Sequence, residues 1–146
     1  MDSEPLGSPG TQPDRIRDQQ RDTWQRFSIG WQKWDELVGQ WLRPYGAAMI
    51  RQADLREDSD VLDVASGTGE PGLTAAVLVP RGRVVLTDLA EKMLAVATES
   101  ATRRGLDNVT TRVCDAGALP FADAGFDASL CRFGFMFFPD VAAAAR

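Results

Sequence analysis

The sequence predicts an α/β fold built on a doubly wound parallel sheet. Short runs of apolar and β-branched residues alternate with segments of helical periodicity, the pattern of strands joined by crossover helices. The first run, Val61–Val64, leads directly into a glycine-rich turn over Gly67–Gly72. A buried strand, a glycine turn and a helix start together form a ligand crevice at the carboxyl edge of such a sheet. The predicted sheet is therefore Rossmann-like.

The N-terminal part of the chain is predicted to be a leader followed by helices. Residues 1–14 are rich in proline, glycine and serine, which indicates a flexible leader. Residues 15–58 have helical periodicity and form a helical segment for packing or for a lid. Its aromatic residues recur mostly at steps of three and four and form one apolar stripe: Trp24, Phe27, Trp31, Trp34 and Trp41. Gly30 indicates a bend, and Pro44–Gly46 indicates a break before a second helix over Ala47–Ala53.

Residues 59–146 contain the strands and crossover helices of a partial Rossmann-like domain. The predicted strands are Val61–Val64, Val84–Asp88, Thr111–Ala116 and Phe126–Phe133. One crossover helix covers Gly72–Val79 and ends at Pro80. The second covers Ala90–Arg104 and ends at Gly105.

Acidic side chains distinguish the predicted crevice from a dinucleotide site. Gly67, Gly69 and Gly72 satisfy the spacing G-x-G-x-x-G, which keeps a nicotinamide or flavin dinucleotide among the candidate ligands. However, Asp63 ends the first strand and Glu70 opens the following helix, and two carboxylates there repel a diphosphate. They favour a positively charged ligand, such as the ammonium and sulfonium groups of S-adenosylmethionine.

Two further predicted strands also end in an acid. Asp88 lies about as far beyond the glycine turn as a ribose-binding acid should, and a carboxylate there can accept from both ribose hydroxyls. Asp115 follows the third strand, where it can accept the exocyclic amine of adenine. Three acids at successive strand ends are a more specific signal than the glycines. Asp88 also suits a helix N-cap, and Asp115 a solvated loop, so these alternatives remain open.

Four ordered motifs resemble those of class I S-adenosylmethionine-dependent methyltransferases: DVASGTG, LTDLAEKML, CDAGALPF and FDASLCRFGFMFFPD. The resemblance covers Val61 to Asp140. It is strongest to the small-molecule branch that includes the ubiquinone and menaquinone C-methyltransferases. It implies a sheet of strand order 3-2-1-4 with N-terminal helices. It also implies S-adenosylmethionine as the cofactor and a small molecule as the methyl acceptor.

The resemblance also implies which residues surround each part of the cofactor. Those around the methionine part are Asp63, Ala65, Gly67, Thr68 and Gly69. Those around the ribose and adenine are Asp88, Leu89, Met93, Asp115 and Ala116. Cys131 and Arg132 complete the set, at a position where the family often has a small residue such as serine.

The aromatic stripe of the N-terminal helices has two interpretations. Such a large apolar surface must be covered, and simple packing onto the domain would cover it. Alternatively, by the same resemblance, the segment forms a lid over the cofactor and the acceptor.

No catalytic residue is predicted for the methyl transfer. The reaction is an in-line displacement in which alignment of the acceptor supplies much of the rate. The chain has no histidine, which is the commonest general base. A non-catalytic nucleotide-binding or interaction module and an NAD-dependent oxidoreductase are the alternative functions.

Composition narrows the partners and the location. The formal net charge is -5, and acids and bases are evenly spread, which disfavours nucleic acid as a partner. Cys114 and Cys131 are predicted to be buried thiols, and no cluster of cysteine and histidine indicates a metal site. The sequence contains no run long enough to span a bilayer and no secretory signal, so a cytoplasmic protein is expected.

The chain of 146 residues is short for the family it resembles. Its last residues, 141–146, look like the opening of a helix, so truncation is expected to remove the fifth strand and the antiparallel pair that closes the sheet. An unpaired fourth strand leaves the apolar run over Phe133–Phe138 without partners. This favours poor stability, aggregation, a homo-oligomer, or completion of the sheet by another chain.

Overall fold

The computed structural model describes residues 11–145, except for the side chains of Asp35 and Glu36. It contains a four-stranded parallel sheet in the order β3-β2-β1-β4. The strands are Asp60–Val64 (β1), Arg83–Asp88 (β2), Val109–Val113 (β3) and Ala128–Leu130 (β4). The predicted α/β, Rossmann-like sheet and its strand order are therefore confirmed. Residues 1–10, which belong to the predicted leader, lie outside the described residues.

The N-terminal segment is one helix, α1 (Gln12–Gln52). It begins earlier than the predicted start at residue 15, because a capping box satisfies its first amides. The Asp14 amide donates to Thr11 Oγ1 at 3.4 Å, and the Thr11 amide donates to Asp14 Oδ2 at 3.0 Å.

The two predicted interruptions of α1 are wrong. The helix continues through Gly30 and contains Pro44. A glycine or a proline weakens a helix locally, but packing of the following turns can hold it. Here Met49 and Ile50 pack against the main core. Gly46, which lies between Pro44 and these two residues in the sequence, is also buried. Tertiary contacts therefore override the local signal.

Two short helices connect the strands. Helix α2 (Gly72–Leu78) follows β1, and α3 (Glu91–Arg103) follows β2, both within a residue or so of the predicted bounds. After β4 come a 3-10 turn at Phe135–Phe137 and helix α4 (Val141–Ala144).

The core lies on the two central strands. The apolar residues of β1 and β2 are buried, which is typical of parallel strands covered on both faces. Val61, Val84 and Leu86 are fully buried, and they pack with Leu73 of α2 and Ala97 of α3. This packing fixes the end of β1, from which the glycine turn departs.

The two outer strands are shorter or placed differently than predicted. Strand β3 ends at Val113, and Cys114 makes the next hydrogen bond, from its amide to the Asp88 carbonyl at 3.1 Å. Asp115 and the residue after it therefore lie in a loop. Strand β4 ends before Phe133, whose φ of +61° leaves the extended conformation.

Replacing Gly72 with alanine is expected to destabilise the fold. A Cβ there would lie 2.3 Å from Leu86 Cδ2 and 2.7 Å from Asp63 Oδ2, both in the core. Overpacking of this kind costs about 1–3 kcal/mol of unfolding free energy, which urea denaturation measures. Gly30→Ala is the control, because a Cβ there meets nothing within 4 Å and alanine favours a helix. Equal destabilisation by both substitutions would contradict the packing explanation.

Candidate functional site

A cavity of about 340 Å³ lies at the carboxyl ends of β1, β2 and β3, beneath helix α1. Its volume falls in the range of small-molecule sites. The turn after β1 and the loops after β2 and β3 form its polar wall. Helix α1 and the segment after β4 form the opposite, largely aromatic wall.

Most of the predicted cofactor-binding residues line this cavity. They are Ala65, Gly67, Thr68, Asp88, Leu89, Met93, Asp115, Ala116 and Arg132. Asp63, Gly69 and Cys131 are not among the lining residues. Asp63 is fully buried, Gly69 packs closely against Leu73, and Cys131 packs against the smaller hydrophobic cluster under the sheet. These three residues therefore lie behind the residues that line the cavity.

The glycine turn is held by its own hydrogen bonds. The Gly67 amide donates to Asp88 Oδ2 at 3.0 Å, and the Ser66 amide donates to the Thr87 carbonyl at 2.9 Å. The Gly69 amide donates back to the Ser66 carbonyl at 2.9 Å. Gly67 has a φ of +56°, and a Cβ there would meet nothing within 4 Å. The turn thus joins the ends of β1 and β2 and leaves open space above Gly67.

The amides at the start of α2 are bonded within the chain. The Gly72 amide donates to Asp63 Oδ2 at 2.7 Å, inside the core. The Leu73 amide donates to the Gly69 carbonyl at 2.8 Å, and the Thr74 amide donates to Glu70 Oε2 at 3.2 Å. A dinucleotide pyrophosphate binds to free amides at this position. The first amides of α2 are therefore not available to a diphosphate.

The charges of Asp63 and Glu70 differ from those on which the sequence argument against a dinucleotide depended. Burial raises the pKa of Asp63 to about 8, against the opposing effects of the Gly72 amide and Arg132. The carboxyl is therefore largely protonated at neutral pH. The second acid, Glu70, forms an ion pair with Arg104, Nη1 to Oε1 at 2.6 Å. The predicted repulsion by Asp63 and Glu70 is therefore weakened, and occupation of the α2 amides is a second reason that disfavours a dinucleotide.

Asp88 connects the glycine turn to the residues at the start of helix α3. Its Oδ2 accepts from the Gly67 amide, and its Oδ1 accepts from the Ala90 amide at 2.9 Å. Burial raises the pKa of Asp88 above its usual value. The alternative role as a helix N-cap is wrong, because α3 begins at Glu91 with Ala90 at the cap position.

Asp115 lies at the rim of the cavity, where one oxygen accepts a hydrogen bond and the other forms an ion pair. Its Oδ1 accepts from the Gly117 amide at 3.0 Å. Its Oδ2 lies 2.5 Å from Nε of Arg17 in helix α1, and the two side chains are partly exposed. Asp115 thus lies in a loop, as one alternative predicted, but it is ion-paired and only partly in contact with solvent.

The predicted aromatic stripe of α1 divides between the cavity and solvent. Trp24 and Trp31 line the cavity, and the Trp24 ring meets Phe137 edge to face with centroids 5.2 Å apart. In contrast, the side chains of Phe27, Trp34 and Trp41 are 59%, 54% and 73% exposed. Simple packing onto the domain therefore does not explain the stripe.

Sequence reasoning missed several residues that line the cavity from α1. Arg17, Gln20 and Leu42 lie on the same helical face as Trp24 and Trp31, at steps that return to one side of a helix. Tracing that face from the two tryptophans, rather than grouping all the aromatic residues, would have found them.

Other features bear on metals, redox chemistry and membranes. Cys114 and Cys131 are free thiols but only partly buried, whereas buried thiols were predicted; this partial burial raises the pKa of each. Among the side chains that the structure describes, which do not include Asp35 and Glu36, no group of three or more acidic, cysteine or histidine residues is arranged to hold a metal ion. Among the helices described, none is both long and apolar enough to cross a bilayer.

This chain is similar to several known methyltransferases. A family model described as a methyltransferase domain matches residues 61–146. The demethylmenaquinone methyltransferase of Thermus thermophilus is 45% identical over 80 residues, covering 55% of this chain and 36% of that protein. The ubiquinone/menaquinone biosynthesis C-methyltransferase of Bordetella parapertussis is 42% identical over 93 residues, covering 63% and 36%.

A solved structure shows the same relation. A SAM-dependent methyltransferase from Aquifex aeolicus aligns with a TM-score of 0.62 at 25% identity, over 68% of this chain and 53% of that one. The chain spans 36% of the length of each of the two curated relatives.

The buried carboxyl of Asp63 is expected to make stability depend on pH. Its pKa rises from 3.8 to about 8 on folding, so between these values the folded state holds a proton that the unfolded state has released. The free energy of unfolding therefore falls as pH rises from about 4 to about 8, by up to about 1.4 kcal/mol per pH unit. Asp63→Asn cannot titrate and should remove this slope.

Urea denaturation at several pH values in this window measures the effect. Asp123→Asn, in an exposed loop, is the control and should keep the slope of the unchanged protein. Parallel pH profiles for the Asp63→Asn variant and the unchanged protein would show that Asp63 does not hold the proton.

Proposed function

Because the chain belongs to the methyltransferase domain family, we propose that its cavity binds S-adenosylmethionine for methyl transfer to a small molecule. One observation carries this proposal. The glycine turn, Asp88 and Asp115 come from the ends of three adjacent strands and line a single cavity.

The residues of the cavity fit an adenosyl ligand. The open space above Gly67 accommodates a ligand close to the backbone, since even a Cβ would meet nothing there. Ala65 and Thr68 adjoin that space and suit the methionine part. The oxygens of Asp88 accept from the Gly67 and Ala90 amides, and a carboxylate has further lone pairs that a ribose hydroxyl can use. Asp115 then suits the adenine amine at the far end.

Apolar neighbours complete the proposed adenine end. Leu89 and Met93 line the cavity between the two acids, where their side chains offer contacts to a flat ring. Met93 is almost fully buried, in the first turn of α3, so its position is fixed by the core. Ala116 adds a small side chain next to Asp115.

The chain contributes binding and alignment to the proposed reaction. When bound, S-adenosylmethionine supplies a methyl group on a sulfonium centre. The acids of the cavity are already engaged, Glu70 with Arg104, Asp88 with two amides and Asp115 with Arg17. Holding the acceptor in line with the methyl group accounts for much of the rate. We assign no catalytic residue.

The aromatic wall indicates the chemistry of the acceptor. Trp24, Trp31, Phe133 and Phe137 also line the cavity. Aromatic walls favour flat, apolar ligands through offset and edge-to-face contacts. The relatives named above are described as acting on demethylmenaquinone and in ubiquinone and menaquinone biosynthesis. We therefore propose an apolar, ring-containing acceptor.

Calorimetric titration of the natural protein with S-adenosylhomocysteine and with NAD tests the choice of cofactor. We expect S-adenosylhomocysteine to bind at least about tenfold more tightly, because the α2 amides that a pyrophosphate needs are bonded to Asp63 and Glu70. Tighter binding of NAD would support the oxidoreductase alternative. Binding of S-adenosylhomocysteine without methyl transfer to any compound of an aromatic acceptor panel would support a non-catalytic module.

Asp88→Asn is expected to weaken S-adenosylhomocysteine binding by roughly 10- to 100-fold, since a hydrogen bond to a charged group contributes about 1.5–3 kcal/mol. The same titration measures the loss, and circular dichroism checks that the variant is folded. Asp107→Asn, in the exposed loop before β3, is the matched control and should bind normally. An unchanged affinity in a folded Asp88→Asn protein would remove Asp88 from the proposed site.

A further inference from the structure

Helix α1 forms the roof of the cavity with one continuous face. Arg17, Gln20, Trp24, Trp31 and Leu42 all line the cavity from this face. They recur at steps of three, four, seven and eleven, which return to the same side of an α-helix. A single helix therefore contributes both charged and aromatic side chains to the lining of the cavity.

The two halves of α1 are held by different kinds of contact. Near its C-terminus, Met49 and Ile50 pack against the main hydrophobic core. In the N-terminal half, Gln25 Oε1 accepts from the Lys92 amide at 3.0 Å, and Gln32 Nε2 donates to Glu99 Oε2 at 3.3 Å. The Trp24 ring also meets Phe137 edge to face, with centroids 5.2 Å apart, but none of the described residues of this half belongs to the main core. Elements outside the core that are held partly by exposed polar bonds open at lower free energy than the core does. The N-terminal half is therefore the part of the roof that opens.

The Arg17–Asp115 ion pair is the contact that fastens this half across the cavity. Arg17 Nε lies 2.5 Å from Asp115 Oδ2, on the loop after β3. The Arg17 side chain is also bonded on its own helix, because Nη1 lies 2.7 Å from Asp14 Oδ1. Asp14 in turn belongs to the capping box with Thr11. The start of the helix thus holds the guanidinium toward the rim.

Asp115 serves both the roof and the cavity. It pairs with α1 through Oδ2 and also lines the space that we assign to adenine. With the pair formed, a cavity of about 340 Å³ remains beneath α1, so a closed roof and a filled cavity are compatible.

We propose that the Arg17–Asp115 pair is a latch, and that its release lets the N-terminal half of α1 open for ligand exchange. The identity of the ligand rests on the proposed function. The pair forms with the cavity empty, and a carboxylate oxygen can accept from the adenine amine as well as from Arg17, so weakening the pair favours opening to a similar extent in both states. Entry and exit then accelerate by the same factor, and the affinity stays the same.

Arg17→Gln is the test, and Arg21→Gln is its matched control. Arg21 also pairs with an acid three residues earlier on α1, Asp18, at 3.0 Å, but it does not line the cavity. Both substitutions thus lose an equivalent pair within the helix. Only Arg17→Gln also loses the contact to the β3 loop.

Amide hydrogen exchange of the natural protein without ligand measures the opening directly. We expect Arg17→Gln to speed exchange over residues 14–24 by roughly two- to fivefold, the effect of losing one partly exposed ion pair. Arg21→Gln should leave exchange near that of the unchanged protein. Gln25→Ala, which loses the bond to the Lys92 amide, should speed exchange in the same direction. Unchanged exchange in Arg17→Gln, or equal acceleration by both arginine variants, would overturn the latch.

Stopped-flow binding of S-adenosylhomocysteine gives a second, independent measurement. Arg17→Gln should raise the association and dissociation rates together by roughly two- to fivefold, with Kd within about twofold of the unchanged protein. If Arg17→Gln raises only the dissociation rate, Arg17 contacts the ligand. If Arg17→Gln binds S-adenosylhomocysteine more tightly, Arg17 competes with the ligand for Asp115. Either result overturns the latch. If the unchanged protein does not bind S-adenosylhomocysteine, the proposed function fails and hydrogen exchange decides the latch.

Discussion

The hydrogen bond from the Gly72 amide to Asp63 Oδ2 is the constraint on which the cavity depends. It joins the first turn of α2 to the end of β1 inside the core, at a distance of 2.7 Å. No side chain fits at Gly72, so the helix and the strand approach closely. The turn between them then leaves the space above Gly67 open. This geometry has a cost, because it buries a carboxyl whose pKa rises to about 8.

The three acids at the strand ends have different physical roles. Asp63 is a buried structural acid that ties α2 to β1. Asp88 joins the glycine turn to the start of α3 and faces the cavity. Asp115 lies at the rim and is bonded to the helix above it. Their common position made them a good sequence signal, although only two of them line the cavity. The chemistry therefore depends on where each carboxylate is buried and bonded.

The cavity is lined by two kinds of group. Acids and the glycine turn line it from the strand ends, whereas Trp24, Trp31 and Phe137 belong to α1 and to the segment after β4. A ligand with a polar nucleoside and an apolar acceptor beside it matches this lining. Helix α1 contributes groups of both kinds, with Arg17 paired to Asp115. The roof therefore links the two halves of the proposed reaction.

The central part of the fold could be predicted from the sequence because local signals and tertiary packing agree there. The two buried strands, their crossover helices and the acids that follow them were all found from patterns of a few residues. Predictions failed where distant contacts decide the structure. Pro44 signals a break in α1, yet packing of the turns after it keeps the helix whole. Strand β4 ends at Leu130, and Phe133, which was predicted to lie in it, has a positive φ. The partner of Arg17 lies on a loop far along the chain, which no local pattern reveals.

A crystal structure of the natural protein with bound S-adenosylhomocysteine tests the proposed cofactor site most directly. We expect the ribose hydroxyls within hydrogen-bonding distance of the Asp88 carboxylate and the adenine amine at Asp115. The Gly72 amide should stay bonded to Asp63, with the ligand above Gly67. A ligand bound elsewhere, or one that draws the α2 amides away from Asp63, would contradict the assignment.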